Sequence, residues 1–582
     1  MTKKESVIVL LSITLCWSSS YVFIKAVPED LSVYAYLALT SGAAALLLSI
    51  LSRRRFRALN RKTLWQGLVL GLLITGNMAF EKLGLDHLPA SSVSALEALN
   101  IIIVPIILLL KRKFPTRNNL AGIAIIFIGI IITSYTSMEG GGLLGILFIL
   151  GSCVMMSLYT ILATEYTKEN DPMLLTILQL IVTAVTGFIL WTATDPESLG
   201  RIRWSQETIS YIFILAFFSK AYAYTMLMYA DRYADAISVT VIAALDPVVT
   251  LLMAVIIPVT GGAEIFSFRS LLGALIITAG AIVAGTDFLS KKKKLAAGEP
   301  PEAAPAPALP EEANRLLPEK KRRQILALSF IGIILLFTAL GVSIDVMDMA
   351  DGYTNLRPEH CLSVPAGLIL GPVGALACAV GNLIGDFFSD FDSVRIFGFI
   401  ANFIMAYLPY KVWRVTSPRE YNVHTWKRIL LYLWAAALGS LYCSCLLGIC
   451  LAYFFHEYYE MIILQIFANN FGFSVCFGLP LFIVLRSDGQ AGVIWSGTVP
   501  EMKRFLPRSV LRLYQTHPDR KRTVARALLT ADTVVIFLVF MIVVHTHRWW
   551  ESPFVAVLSC LAAVLLLATC LFPTGPEGMA EA

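Results

Sequence analysis

Charge is scarce in this sequence. Of its 582 residues, 15% are Asp, Glu, Lys or Arg and 57% are hydrophobic, and the mean hydropathy is +0.73. A soluble globular chain carries roughly 25% charged residues, so this composition excludes a soluble protein. The net charge of +6 lies in the loops between apolar runs. It therefore indicates membrane topology and gives no reason to expect a nucleic-acid partner.

The sequence also lacks the usual motifs of metal sites, disulfide frameworks and nucleotide hydrolysis. Its ten cysteines lie almost entirely within apolar runs, without metal-ligand spacing or a disulfide framework. No G-x-x-x-x-G-K-[ST] loop occurs, so a P-loop cannot hydrolyse ATP here. We expect no covalent catalysis and no cofactor, and therefore predict that the chain is not an enzyme.

Long apolar runs are what the sequence does contain. They recur at lengths of about 18–25 residues, enough to cross a hydrocarbon core about 30 Å thick. They lack the alternation of barrel strands, so they must form helices, in which every backbone polar group is satisfied within the span. The sequence predicts an all-α polytopic membrane protein embedded in a lipid bilayer.

One segment interrupts the apolar pattern and divides the chain. Residues 291–321 are rich in Pro, Ala and Glu and have basic clusters at both ends, which predicts a cytoplasmic linker. It separates a membrane module at 1–290 from a second part. The boundaries predicted for the second part are a membrane module at 322–487, a basic cytoplasmic segment at 488–529, and two further transmembrane helices with a tail at 530–582.

The first module is predicted to hold about ten spans arranged as two repeats, at about 5–136 and 142–289. "LDHLPASSVSALEALNIIIVP" (85–105) parallels "ADRYADAISVTVIAALDP" (230–247). Each repeat holds about five spans, an odd number, so the second copy is inverted in the membrane, as in alternating-access carriers. Basic loops place both chain termini in the cytoplasm. We expect the protein in the plasma membrane.

Several details of this module resemble the EamA family of the drug/metabolite transporter superfamily. They are "WSSSYVFIK" in the first helix, a proline in the fourth and ninth helices, glycine pairs seven residues apart in the fifth and tenth, and an acid before the last helix. These features are Pro105, Pro247, Gly122, Gly129, Gly273, Gly280 and Glu264. The resemblance implies a ten-helix secondary transporter of small metabolites.

Polar residues within the spans are candidates for its substrate site, because charges inside a bilayer are costly and need a reason. An acid and a lysine that face one cavity would bind an amino-acid-like or zwitterionic solute, or carry a coupling proton or ion. The alternative is a structural ion pair, such as Glu97 with Lys220. Two aromatic residues one turn apart would form either a stacking wall or ordinary packing. The candidates are Trp17, Tyr21, Glu97, Asn100, Gln179, Lys220 and Asp246.

The second module contains "GPVGALACAVGNLIGDFFSD" (371–390), which reads as a helix with two distinct faces. Small residues at every fourth position predict close packing against another helix: Ala377, Gly381, Gly385 and Ser389. Asn382, Asp386 and Asp390 recur at the same spacing on the adjoining face. The stretch therefore predicts a packing face beside a polar, ligand-facing one.

The surrounding pattern resembles the substrate-binding S component of energy-coupling-factor importers. The resemblance lies in "VPAGLILGPVGALACAVGNLIGDFF" (364–388) and "FANNFGFSVCFGLPLFIVLR" (467–486). It implies a six-helix bundle with a ligand pocket under the loop at 343–360, which carries Arg357 and His360, and a membrane partner that supplies energy. The predicted hydrogen-bonding partners of the ligand are Gln465 and Asn469 on the last of these helices. Asn382 and Asp386 on the 371–390 stretch are predicted to bind it as well.

The sequence therefore predicts a secondary-active transporter of a small polar metabolite fused to a substrate-capturing module. The alternative is a ligand-sensing membrane receptor or scaffold, in which the second module regulates the first.

Overall fold

The structure is a computed structural model of the chain. It describes residues 1–27, 31–110, 117–134, 142–200, 202–233, 239, 242–243, 245–256, 268–285, 319–343, 356–388, 394–416, 422–456, 461–487 and 518–571. Every regular element within these ranges is a helix, which confirms the all-α prediction. In the same ranges, thirteen helices are long and apolar enough to cross a membrane. The protein is therefore a multi-pass membrane protein.

The chain forms two compact units, residues 1–301 and 302–582. Their boundary falls within the Pro/Ala/Glu-rich segment that the sequence marks as a linker, most of which lies outside the described residues. The basic segment predicted at 488–529 is described only from residue 518 onward. Each unit is described separately below.

The first unit consists of helices joined by short connections. In chain order they are α1 Lys3–Ala26, α2 Val33–Leu51, α3 Arg61–Leu85, α4 Ala90–Glu97, α5 Asn100–Leu110, α6 Arg117–Ser134, α7 Gly142–Tyr166, α8 Pro172–Thr194, α9 Gln206–Ile214, a π-helical segment Leu215–Tyr222, α10 Ala223–Asp231, α11 Asp246–Ile256 and α12 Phe268–Gly285. Short 3-10 helices cover Arg53–Ala58 and Pro196–Gly200.

Most helix contacts between the two repeats of this unit occur twice. The second contact of each pair is the first with the roles of the two repeats exchanged. The second helix of each repeat packs on its counterpart (α2 on α8), and so does the fifth (α6 on α12). The first helix of each repeat packs on the fourth of the other: α1 on α11, and α7 on α4 and α5. Likewise α3 packs on α7 and α8, while the π-helical segment packs on α1 and α2. The contacts between the two halves are therefore reciprocal: each contact has a counterpart in which the two repeats exchange roles.

The glycine pairs lie at the α6–α12 contact, where backbones approach closely. A Cβ atom added at Gly129 would lie 2.9 Å from the Gly273 carbonyl oxygen, and one added at Gly280 would lie 2.9 Å from the Gly122 carbonyl oxygen. The second glycine of each pair therefore faces the first glycine of the other pair. Any side chain there would meet backbone, which explains the choice of glycine.

Two predicted spans contain a helix boundary in the structure. The span predicted near 92–111 is broken between Glu97 and Asn100, where α4 ends and α5 begins. Within the span predicted near 237–258, α11 begins at Asp246, after described helical residues at 239 and 242–243. Pro247 thus occupies the first turn, where its missing N–H costs no hydrogen bond, so it starts this helix rather than kinking it.

The second unit is also built from helices: α13 Glu319–Val342, α14 His360–Leu370, α15 Pro372–Asp386, α16 Val394–Thr416, α17 Trp426–Phe454, α18 Ile462–Phe473, a π-helical segment Ser474–Gly478, α19 Leu479–Ser487, α20 Pro518–His545 and α21 Pro553–Leu571. A 3-10 helix covers Trp549–Glu551.

The stretch at 371–390 is split from the preceding helix as its Gly-Pro pair predicts. Gly371 has φ +60°, a conformation that glycine adopts without steric cost, and α15 starts at Pro372. On the small-residue face of α15, a Cβ at Gly381 would lie 2.9 Å from Phe337 Cβ. At Gly385 the nearest neighbouring atom would be 4.0 Å away. α15 therefore lies close to α13 at Gly381, and the distance between the two helices is larger at Gly385.

The last two helices pack against the rest of this unit. Asp532 on α20 is fully buried and accepts a hydrogen bond from the Tyr442 hydroxyl on α17. The same hydroxyl oxygen lies 3.2 Å from the Ala562 carbonyl oxygen on α21. Apolar residues of α20 and α21 share one core cluster with α16, α17 and α18. These two helices are therefore part of the bundle.

Candidate functional site

The first unit contains a buried cavity of about 60 Å³ at the break between α4 and α5 and the start of α11. Since one water needs about 10–15 Å³ by this measure, it has room for a few waters or a small solute group. Six predicted site residues line it: Trp17, Tyr21, Glu97, Asn100, Lys220 and Asp246. Residues that were not predicted also line it, among them Asn77, Glu81, Ser219 and Tyr224.

Lys220 reaches the cavity from the π-helical segment between α9 and α10. A π-helix accommodates an extra residue per turn and often marks a functional site. The side chain is only 2% exposed. Its Nζ lies 5.4 Å from the centre of the Tyr36 ring, within cation–π range. The ammonium group is thus held in place by an aromatic face.

Glu97 ends α4 and is held by hydrogen bonds. Its Oε1 accepts from Ser152 Oγ at 2.6 Å and its Oε2 from Asn100 Nδ2 at 3.1 Å, and the Cys153 thiol lies 3.7 Å from Oε2. Ser152 in turn accepts from Asn77 Nδ2 at 2.7 Å. The ion pair with Lys220, considered as an alternative from sequence, is not formed between these two described residues. Glu97 is instead the acceptor at the centre of a polar network.

Asp246 is the first residue of α11 and carries the second hydrogen-bonded carboxylate. Ser18 Oγ on α1 lies 3.4 Å from its Oδ1 and 3.2 Å from its backbone oxygen. The exposed backbone N–H groups of a helix N-terminus favour negative charge. A hydroxyl and a helix end therefore compensate part of the cost of burying this acid.

Glu81 on α3 is a cavity residue that the sequence interpretation missed. The sequence predicts the third span near residues 65–83, and Glu81 is not among the predicted site residues. In the structure α3 continues to Leu85, and Lys82 pairs with Asp86 at 2.5 Å. Glu81 is left facing the cavity, where its charge acts on Lys220. The rule that an intramembrane acid needs a reason would have found it had the span been drawn longer.

Aromatic rings form one wall of the cavity. Trp17 lies 5.7 Å from Tyr224 between ring centres, and Tyr224 meets Tyr159 edge to face at 6.2 Å. Trp17, Tyr21 and Tyr224 line the cavity itself. The wall can therefore contact an apolar part of a solute while the charged groups hold its polar part.

Gln179 lies away from this site. It is fully buried on α8, close to Tyr159 and to the face of α3 that carries Gly71. It is not among the residues that line the cavity described here.

The second unit brings together three of its four predicted site residues. The backbone N–H of Arg357 donates to Asn469 Oδ1 at 3.2 Å, and Arg357 Nη1 lies 3.5 Å from Asn382 Oδ1. Asn382 Nδ2 donates to Asp386 Oδ2 at 2.9 Å. Arg357 thus joins the polar face of α15 to α18.

Gln465 lies one turn before Asn469 on α18 and is half-buried. Within the described residues its side chain has no hydrogen bond to this cluster. Residues 344–355 and Asp390, which the sequence placed beside the cluster, lie outside the described residues.

The family match lies in the first unit. Residues 4–135 and 143–286 each match the EamA-like transporter family, so the family model matches twice in succession. No curated protein matches the chain. A solved structure titled "Crystal structure of protein" is 17% identical, with a TM-score of 0.38, and the alignment covers 49% of this chain and 97% of that one.

Proposed function

We propose that this multi-pass membrane protein, whose residues 4–135 and 143–286 match the EamA-like transporter family, is a secondary-active transporter of a small polar metabolite. The observation that carries the proposal is the cavity itself. It lies in a multi-pass unit, and the described residues that line it include three carboxylates and one ammonium group. Buried charges are costly in a membrane, and they occur where solutes or ions pass.

The paired helix contacts support alternating access as the mechanism. Repeats that exchange contacts can adopt two related conformations, in which the roles of the halves are swapped. The broken helix in the first repeat (α4 and α5) and the helix that starts at Asp246 in the second both end at the cavity. Half-helix ends near a midplane site are typical of such carriers. We propose inverted repeats that rock around this site.

Charged loops support the proposed orientation. Arg55 lies in the connection between α2 and α3 and Lys62 in the first turn of α3, and the positive-inside rule places this end of the two helices in the cytoplasm. With that side fixed, both chain termini are cytoplasmic. We propose the plasma membrane as the location.

Transport into liposomes tests the proposed function. Purified full-length protein, reconstituted in liposomes, is expected to exchange at least one labelled compound from a panel of amino acids, amines, organic acids and sugars. Protein-free liposomes are the control. A panel-wide absence of exchange, with the protein correctly folded and inserted, would contradict the transporter proposal.

For the second unit we propose a ligand-capturing module that resembles an S component. The cluster of Arg357, Asn382, Asp386 and Asn469 supports it, because polar groups gathered on two helices and a loop offer both donors and acceptors to a solute. In this proposal a membrane partner supplies energy. The same cluster also supports the alternative, a ligand-sensing receptor that regulates the carrier.

Two kinds of substitution on α15 are expected to behave differently. Gly381→Leu pushes a side chain into Phe337 and should lower the thermal unfolding midpoint in detergent by several degrees. Asn382→Ala leaves that packing intact, since Asn382 lies on the other face. It should unfold like wild type but lose stabilisation by any metabolite that stabilises the wild type.

Gly385→Ala is the matched control on the packing face, because the nearest atom there is 4.0 Å away. It should leave the midpoint unchanged or raise it, because alanine favours helix over glycine. Equal destabilisation by Gly381→Leu and Asn382→Ala would show that the polar face is structural, and the ligand-capture proposal would lose its support.

A further inference from the structure

Two opposite charges face the first unit's cavity without meeting. Glu81 and Lys220 both line it, and the carboxylate charge acts on the ammonium group. Neither makes an ion pair within 4.0 Å in the part of the chain that the structure describes. A space therefore separates an acid on α3 from a base on the π-helical segment.

The other two cavity carboxylates are already occupied. Glu97 accepts from Ser152 and Asn100, and Asp246 from Ser18. Glu81 has no hydrogen bond within the described residues. The groups left open to a solute are thus one negative and one positive charge.

Lys220 gives the stronger reason to expect a ligand. A buried ammonium group loses its hydration and needs compensation from an opposite charge or from hydrogen bonds. At 2% exposure it has the Tyr36 ring, and among the described residues no anion is in contact with it. A ring face offsets only part of the lost hydration. A bound anionic group would complete the site.

We propose that the cavity binds a zwitterionic solute, with its carboxylate at Lys220 and its ammonium group at Glu81. This inference rests on the proposed transport function and names its substrate class. A solute with only a negative charge would leave Glu81 without a cationic partner and add negative charge beside Glu97 and Asp246. A solute with only a positive charge would leave Lys220 without an anionic partner and add a like charge near it.

Only a solute with both charges satisfies both groups without changing the net charge of the cavity. The wall of Trp17, Tyr21 and Tyr224 is then free to contact its apolar part. The small cavity, about 60 Å³, favours a solute with its two charges close together.

Matched probes test this assignment on the purified full-length protein. The zwitterions are glycine, leucine and phenylalanine. For each, the amine lacks the carboxylate (methylamine, isopentylamine, phenethylamine) and the acid lacks the ammonium group (acetate, 4-methylpentanoate, 3-phenylpropanoate). Binding is measured by isothermal calorimetry and by the shift of the thermal unfolding midpoint, each at one pH and ionic strength.

We expect at least one zwitterion to bind about tenfold or more tightly than both of its analogues, about 1.4 kcal/mol or more. Glu81→Gln should weaken binding of that zwitterion by a similar factor, and binding of the matching acid much less. Lys220→Gln should also weaken binding of the zwitterion, but it should leave binding of the matching amine nearly unchanged. Glu81→Asp and Lys220→Arg keep the charges and should retain a preference for the zwitterion.

Three results would overturn the assignment. An amine or acid that binds as tightly as its zwitterion would do so, as would zwitterion binding that survives Glu81→Gln in folded protein. The third is that none of the probes binds. If liposomes still exchange a sugar or another compound with one charge or none, the transporter proposal stands and only the zwitterion assignment fails.

Discussion

Asp246→Asn and Glu97→Gln are each expected to reduce transport by about 10- to 100-fold, because a hydrogen-bonded charge contributes about 1.5–3 kcal/mol and both lie in the cavity. Each change removes a charge and preserves shape. In the Asp246→Asn variant the new amide oxygen can still accept from Ser18. In the Glu97→Gln variant it can still accept from Ser152. The helices that end at the site should therefore still pack, so that transport falls while folding survives.

Initial rates in liposomes, normalised to folded protein, measure this effect. Glu169→Gln is the matched control: the same change at an acid that is 59% exposed and paired with Lys62 outside the cavity. Exposed ion pairs contribute about 0–1 kcal/mol, so its transport should equal wild type. Normal transport in both cavity variants would remove Asp246 and Glu97 from the site. Loss of folded protein would instead assign them a structural role.

Gly129→Ala is expected to destabilise the first unit by about 1–3 kcal/mol, as overpacking does in a filled core. The new Cβ would lie 2.9 Å from the Gly273 carbonyl oxygen and 2.9 Å from the Ile277 backbone nitrogen. Backbone atoms cannot rotate away as a side-chain end can, so α6 and α12 must separate. Gly280→Ala should destabilise the unit by a similar amount, because its Cβ would lie 2.9 Å from the Gly122 carbonyl oxygen and 2.8 Å from the Ile126 backbone nitrogen.

Gly42→Ala provides the contrast. Its Cβ would lie 3.7 Å from Ala184 Cβ, an ordinary van der Waals distance. Because alanine favours helix over glycine by about 1 kcal/mol, this variant should be as stable as wild type or more stable. Thermal unfolding in detergent compares the three proteins. A common shift in one direction would contradict the idea that close backbone approach requires glycine at 129 and 280.

The cost of charge inside a bilayer selected Glu97, Lys220 and Asp246 as candidates from the sequence. The structure places all three around one cavity. Gln179 met a similar criterion, but a single polar residue in a helix does not reveal which face it occupies. Its face packs beside α3, and only tertiary contacts determine that.

Helix breaks and irregular segments escaped prediction because the local sequence carries no signal for them. The interruption after Glu97 contains neither proline nor glycine, and "LAFFSKAY" at 215–222 has the composition of a regular helix. The paired glycines of α6 and α12 were visible as a pattern, whereas their contact across the repeats required coordinates.

The π-helical segment around Lys220 has a consequence for evolutionary comparison. Deleting one residue from 215–222 would let the segment relax to ordinary α-helix, in which each residue turns the chain by about 100°. The two sides of the segment would then rotate against each other by that angle, and the lysine would leave the ring of Tyr36. The direction of this side chain thus depends on how many residues the segment has as well as on which residue stands at 220. A homologue one residue shorter there would carry a lysine in the same alignment column and still have a different binding site.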